Sequence, residues 1–179
     1  MSTHTMAAET TPTAELLFSA ADATPFSTDE ATVRPWAQAR ACLETAPKAW
    51  LSTMRPDGRA HAAPILLVWV DDTPWFTTRP ASRKARNLAR NPHCVITVTD
   101  ETLDLSLEGA ATLVRDEARL LRVAAAFRAK YEWDLAVRDG LAHEDDLPGS
   151  PEYGFYQVMP MRAFGYGVDG MTATRWRFR

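Results

Sequence analysis

Short strand-like segments joined by tight turns dominate residues 50–114, and this spacing constrains the fold more than any other feature. Residues 103–108 (LDLSLE) alternate apolar and polar side chains strictly, as a half-buried antiparallel strand does. Earlier in the chain, Pro56-Asp57-Gly58 separates two apolar runs, and these residue types in succession favour a tight hairpin turn. About six or seven such strands at hairpin spacing predict a mainly β, antiparallel small barrel with flanking helices.

Helices are predicted at three places around these strands. The first runs from Asp29 or Pro35 to Thr45, because Ser27 and Glu30 have capping-box spacing and proline suits a first helical turn. The other two cover residues 82–90 and 116–131.

The remaining segments define a predicted domain organisation. Residues 1–27 are rich in Ala, Thr and Pro and are interpreted as a flexible tail, or as an arm that packs on a partner subunit. Residues 28–179 are expected to form a single split-barrel domain. Within it, residues 131–152 are interpreted as an insertion with a loop rich in acids, Gly and Pro. This insertion serves either as a lid over a groove or as an interface element.

Composition narrows the class of protein. The chain has 179 residues, 46% hydrophobic and 24% charged, with a net charge of −3, which argues against nucleic acid or a membrane surface as partner. No apolar run approaches the roughly 20 residues of a membrane span, and the N-terminus lacks the pattern of a secretion signal. Cys42 and Cys94 have no metal or redox spacing and are expected to be free, buried thiols. We therefore expect a cytoplasmic protein with no metal site.

A basic segment interrupts this otherwise acidic chain. Residues 77–99 contain five Lys or Arg side chains and no Asp or Glu. Ser82 has the character of a helix N-cap, which places Arg83 and Lys84 in the first helical turn. The helix dipole disfavours exposed cations there by about 0.3–1 kcal/mol each.

A bound anion would explain this placement. The free backbone N–H groups of the first turn, the two cations and the hydroxyls of Thr77 and Thr78 would then face the anion together. Phosphate is the natural candidate. The alternative is a solvated basic helix that only keeps the surface soluble, and charge alone leaves both interpretations open.

Two short motifs follow one another in this segment: residues 76–78 (FTT) and 82–84 (SRK), with Asn91-Pro92 before a β-branched strand. This order resembles the flavin-phosphate segment of the pyridoxamine phosphate oxidase family. That superfamily of split β-barrels includes flavin mononucleotide (FMN) and deazaflavin-dependent reductases. The hairpin of residues 50–64 also resembles the strands that open this fold, and residues 174–176 (TRW) resemble a C-terminal motif of actinobacterial members.

The resemblance implies an antiparallel split β-barrel of the FMN-binding type, assembled as a homodimer with the cofactor at the subunit interface. Residues 77–84 would hold the cofactor phosphate, and the strand 62–67 would lie along the flavin ring mainly through backbone groups. The partner subunit's Arg175 or Trp176 would complete the pocket. The implied cofactor-binding residues are Ala62, Ala63, Pro64, Ile65, Thr77, Thr78, Ser82, Arg83, Lys84, Arg175 and Trp176.

Two departures from the family pattern argue against vitamin B6 as the substrate. Residues 62–67 (AAPILL) carry none of the basic side chains that true pyridoxamine oxidases place in this strand. Their C-terminal run containing Arg-Leu-His is also missing here.

We therefore expect a flavin-dependent oxidoreductase that passes a hydride through FMN to or from a small conjugated substrate. One alternative is a reductase of the same fold that uses the deazaflavin coenzyme F-420. Another is a non-catalytic haem- or tetrapyrrole-binding protein, for which His61 is the plausible axial ligand. His61 is also the candidate catalytic proton donor, against the simpler interpretation of a partly exposed strand histidine.

Overall fold

The computed structural model describes residues 11–22 and 26–179 of the chain. Within these residues, eleven strands and three α-helices are arranged in chain order. The strands are β1 (Thr13–Leu16), β2 (Ala49–Met54), β3 (Ala60–Ile65), β4 (Leu67–Val70), β5 (Thr73–Thr78), β6 (His93–Thr99), β7 (Leu103–Val114), β8 (Ala136–Arg138), β9 (Leu141–His143), β10 (Glu152–Gly167) and β11 (Ala173–Arg177). The helices are α1 (Trp36–Thr45), α2 (Arg83–Arg90) and α3 (Glu117–Tyr131).

The long strand β10 organises the sheet. One of its edges pairs with β7 along nearly its whole length. On the other edge, residues 154–157 pair with β5 and residues 162–166 pair with β11, so the sheet divides along this strand. The main path runs β1-β11-β10-β7-β6-β2-β3, and every pairing is antiparallel. The expected fold class, a mainly β antiparallel split barrel with flanking helices, is confirmed.

The predicted hairpin and the predicted basic helix are both confirmed. Interactions between residues close together in the sequence stabilise each of them. β2 and β3 pair around a turn in which Gly58 has a φ of 82°, a conformation that favours glycine. α2 begins at Arg83, and the Ser82 hydroxyl accepts from the Ala85 N–H at 3.1 Å as an N-cap should.

The N-terminal segment is more ordered than expected where the structure describes it. Residues 13–16 form β1, which pairs with β11 of the same chain, so this part is not a flexible tail. Residues 1–10 and 23–25 lie outside the described residues. The first helix starts only at Trp36, and the predicted capping box is wrong: Asp29 instead caps a short 3₁₀ helix, Glu30–Thr32, by accepting from Ala31 N–H.

Two other local predictions are corrected by strand pairing. A glycine within a strand pattern, as at Gly109, predicts a bulge there, but the bulge lies instead on the opposite strand, between Pro160 and Arg162 of β10. Gly109 is needed for a different reason: a Cβ there would lie 2.6 Å from the Met159 carbonyl oxygen. The predicted loop after α3 contains the β8–β9 hairpin, and β9 pairs with the start of β10.

The core has two parts. The larger part fills the barrel between α1 and the strands, with Leu51, Leu67, Ile96 and Leu107 fully buried. The smaller part lies under α3 and the β8–β9 hairpin and is centred on Phe127. The hairpin that follows α3 is therefore packed against a core of its own, and β9 pairs with the start of β10.

Candidate functional site

A cleft of about 340 Å³ opens where the end of β3, the end of β5 and the start of α2 meet. Trp133, just after α3, and Tyr153, at the start of β10, close its remaining side. The lining residues are Pro64, Ile65, Leu66, Thr77, Thr78, Arg79, Ser82, Lys84, Trp133 and Tyr153. The structure thus brings together six of the residues predicted from the sequence to bind a cofactor.

The start of α2 presents a hydroxyl relay to the cleft. The Thr78 hydroxyl donates to Ser82 Oγ at 3.0 Å, and the same oxygen accepts from the Ala85 N–H. Because Ser82 Oγ accepts twice, its own hydrogen is left to be donated to a ligand. The buried Thr77 hydroxyl donates to the Gly154 carbonyl, so it contributes lone pairs rather than a donor.

Two cations stand beside this hydroxyl relay. Arg83 is exposed and Lys84 is half-buried in the cleft lining. Burial lowers the pKa of the Lys84 ammonium. Across the part of the chain that the structure describes, neither side chain has a carboxylate partner, although nine other Lys or Arg contacts with acids form elsewhere. An anion in the cleft would supply the missing counter-charge.

The strand side of the cleft is held in place by the end of α3. Between β3 and β4 the pairing is interrupted at Leu66, a lining residue. At the next residue, the Tyr131 hydroxyl accepts from the Leu67 N–H at 3.0 Å and donates to the Leu67 carbonyl at 2.9 Å. Lys130 Nζ donates to the same carbonyl at 2.7 Å. The backbone that borders the cleft is therefore fixed by direct hydrogen bonds.

Aromatic side chains form the wall opposite this strand. Trp133 and Tyr153 pack edge to face with ring centroids 5.1 Å apart. Arg79 lies over the Tyr153 ring at 5.8 Å. Sequence reasoning placed no site residue in this wall. Its only signal there was the interpretation of residues 131–152 as a possible lid.

His61 lies outside the lining of the cleft but close to its cations. It is on β3 opposite Thr53, and Thr53 Oγ1 accepts from the Asn87 side chain of α2 at 3.0 Å. Its Nδ1 is buried and has no hydrogen-bond partner among the described residues. Burial, followed by the charges of Arg55, Lys84 and Arg83, lowers the pKa of His61. This histidine is therefore a neighbour of the basic cluster.

The remaining predicted residues are not brought to the cleft lining. Ala62 and Ala63 precede the lining part of β3. Trp176 is fully buried in the core, and its indole N–H donates to the Arg34 carbonyl at 3.1 Å, so no surface of it is left for a ligand. Arg175 pairs with Glu15 of β1 at 2.7 Å. Arg175 and Trp176 were expected to complete a cofactor pocket, whereas in this chain Trp176 packs in the core and Arg175 pairs with Glu15.

Both cysteines are free and buried, as predicted, and burial raises the pKa of each thiol to about 12. Among the described residues, no group of three or more His, Cys, Asp and Glu side chains is placed to hold a metal ion. The described helices include none that is both long and apolar enough to cross a membrane.

Comparison with solved structures gives the same fold. A conserved hypothetical protein of Mycobacterium tuberculosis aligns with a TM-score of 0.61 and 22% identity, over 75% of this chain and 86% of that one. A pyridoxamine 5′-phosphate oxidase-related, FMN-binding protein of Nostoc punctiforme aligns with a TM-score of 0.55 and 19% identity, over 80% and 89%. A protein described as an F420 reductase aligns with a TM-score of 0.51 and 21% identity, over 69% and 94%.

Comparison with family profiles assigns the sequence to a protein family. A search of curated proteins finds no significant match. The profile described as pyridoxamine 5′-phosphate oxidase, in contrast, matches residues 35–165, a span that contains α1, the cleft and most of β10. The chain therefore belongs to the pyridoxamine 5′-phosphate oxidase family.

Proposed function

We propose that this protein is a flavin-dependent oxidoreductase that binds FMN in the cleft and acts on a small conjugated substrate. The observation that carries the proposal is the meeting of Ser82 and Lys84, at the start of α2, with the ends of β3 and β5 around one cleft. A cation without a carboxylate partner and a helix start suit a phosphate, and the adjoining strand suits a flat ring.

The phosphate end of the ligand would be held by α2 and β5. Lys84 and Arg83 supply positive charge, Ser82 donates its hydroxyl hydrogen, and the N–H groups of the first helical turn add further donors. Thr77 and Thr78 complete this end of the cleft.

The ring would lie along residues 62–66, whose backbone can orient it by hydrogen bonds. Flavin bound here would supply the hydride-transfer chemistry. The chain's own contribution is to bind, to orient and to keep water from the reacting face. Pyridoxamine phosphate is not proposed as substrate, because residues 62–67 lack a basic side chain and the sequence lacks the C-terminal run containing Arg-Leu-His.

The second candidate is a deazaflavin-dependent reductase with the same phosphate site. The neighbouring cations Arg79, Arg83 and Lys84 favour it, since the F-420 coenzyme carries an acidic tail in addition to its phosphate. The fold shared with an F420 reductase is compatible with this cofactor. A haem does not fit: of the described residues that line the cleft, none is His, Cys or Met.

We also propose that the protein works as a homodimer with a small-molecule substrate bound near the subunit interface. An apolar depression of about 390 Å³ on the outer face of the sheet supports this assembly. Met54 and Met161 border it and are 43% and 49% exposed.

The first experiment is to purify the protein from a host that makes both flavins and deazaflavins and to record its visible spectrum. Mass spectrometry then identifies what is released on denaturation. A two-band yellow spectrum with released FMN is expected, whereas a single deazaflavin band would favour the second candidate. A colourless protein that takes up neither added cofactor would overturn both.

Charge reversal tests the phosphate assignment. Arg83→Glu with Lys84→Glu is expected to abolish FMN binding, because two cations beside the phosphate become anions. Arg90→Glu, in the last turn of the same helix, is the matched control and should retain binding. Cofactor retention by the double variant, measured by fluorescence titration, would contradict the assignment.

A further inference from the structure

The segment between α3 and β10 is built as a rigid support rather than a loose loop. Glu132 ends α3 in the left-handed conformation with a φ of 54°, which turns the chain towards the cleft. The following hairpin buries Leu135 and Ala142 in the core beneath α3. Beyond it, Asp145 accepts from Arg138 at 2.7 and 2.8 Å, which closes the loop on itself.

Glu144, next to that closure, holds both aromatic rings of the cleft wall. Its Oε1 accepts from the Trp133 indole N–H at 2.8 Å, and its Oε2 accepts from the Tyr153 hydroxyl at 2.8 Å. One carboxylate thus fixes two side chains on either side of the β8–β9 hairpin, Trp133 before it and Tyr153 of β10 after it. Phe127 supports Trp133 from behind with ring centroids 5.9 Å apart.

The cleft combines the aromatic surface of this wall with positive charge. Trp133 and Tyr153 line it together with Arg79 and Lys84, and none of the described lining residues is acidic. Both oxygens of the nearby Glu144 are occupied by the two ring donors.

We propose that Trp133 and Tyr153 form the binding wall for a planar, anionic ligand, with Glu144 as the positioning residue that sets their orientation. This inference rests on the proposed function. It adds that residues 132–153 of this chain bind the planar ring of the ligand. Aromatic faces bind flat conjugated rings through large contact area at low cost in conformational entropy. The ring-binding half of the cleft is thereby separate from the phosphate-binding half at α2.

The test titrates FMN and riboflavin, which lacks the phosphate, into the wild type and four variants. Glu144→Ala releases both rings, Glu144→Gln keeps one acceptor, and Tyr153→Phe keeps the ring but loses its hydrogen bond. Asp146→Asn is the matched control, an exposed acid of the same loop without a side-chain bond among the described residues. Thermal unfolding is measured for each protein. If the wild type binds the deazaflavin coenzyme instead of FMN, the same variants are titrated with that coenzyme.

Glu144→Ala is expected to weaken FMN and riboflavin equally, by about tenfold, because it disturbs ring contacts common to both. Glu144→Gln should recover part of this loss, and Asp146→Asn should bind like the wild type. If Glu144→Ala does not fold, Tyr153→Phe carries the test with an expected loss of about threefold for both ligands.

Two results would overturn different claims. If the wild type binds neither FMN nor the deazaflavin coenzyme, the proposed function fails. If the wild type binds FMN but folded Glu144→Ala and Tyr153→Phe keep wild-type affinity for both ligands, the aromatic wall is wrong while the phosphate site stands. A loss confined to FMN would also contradict the wall, because it would place the effect at the phosphate.

Discussion

Lys84 occupies the first turn of α2, where a positive charge opposes the helix dipole. Its side chain is half-buried, burial lowers its pKa, and no described carboxylate compensates it. A residue chosen for stability alone would be acidic or neutral at this position. At the scale of single residues, such a local cost is typical of a binding site, where the ligand supplies the missing interaction.

His61 gives this cluster a pH dependence. In the unfolded chain its pKa is near 6.5, and in the folded protein burial and the neighbouring cations lower it. The unfolded state therefore binds the proton more readily, so stability falls as the pH drops below about 6.5 and rises as the pH increases.

We expect the midpoint of thermal unfolding to fall less in His61→Gln than in the wild type when the pH is lowered from about 8 to about 5. His93→Gln, at an exposed histidine, is the control and should follow the wild type. An identical fall in His61→Gln and the wild type would show that this imidazole does not contribute.

At the scale of elements, the end of α3 acts on the cleft through one tyrosine. Burial raises the pKa of Tyr131, so its hydroxyl stays protonated and can bond to both backbone groups of Leu67. These bonds satisfy the backbone at the break between β3 and β4, where the sheet ladder is interrupted.

Tyr131→Phe should lower the free energy of unfolding by about 1–3 kcal/mol, because the Leu67 N–H loses its acceptor while Lys130 still serves the carbonyl. Cofactor affinity should fall as well, since Leu66 lines the cleft. Urea unfolding and FMN titration measure the two effects. Tyr166→Phe, at an exposed tyrosine of β10, is the control, and an equal change in both variants would argue against the role of Tyr131.

At the scale of the whole molecule, the sheet has one face filled by the core and another that presents apolar side chains. Trp50 and Met54 alternate with buried residues along β2 and point to the outer face, where Trp50 is 51% exposed. Val95 of β6 and Met161 of β10 border the same depression. Such a contiguous apolar surface suits association between copies of the chain.

We expect light scattering to find a dimer for the wild type and a shift towards monomer for Met54→Lys, because a charge would be buried without a partner. Leu121→Lys, at a 54% exposed leucine of α3, is the matched control and should remain dimeric. A wild-type monomer, or a Met54→Lys protein that stays fully dimeric, would contradict the homodimer.

How far the sequence could predict each feature depends on the range of its interactions. The turn of the β2–β3 hairpin and the Ser82 cap are held by hydrogen bonds between residues three or four positions apart, so residue types suffice to find them. The cleft wall depends on hydrogen bonds from Trp133 and Tyr153 to the Glu144 carboxylate. These residues are nine to eleven positions apart, and no local sequence pattern predicts that they meet. The core position of Trp176 was equally hidden, because a tryptophan suits a core and a pocket alike.

By itself, the sequence determined the antiparallel class and the capped, basic start of α2, since alternation, capping and charge are local properties. Only the tertiary structure decided which residues surround the cleft. Strand pairing moved the bulge from Gly109 to the facing strand, and packing placed Trp176 in the core and Trp133 in the cleft wall. The physical reason is that long-range packing depends on the joint shape of distant segments, which no single segment encodes.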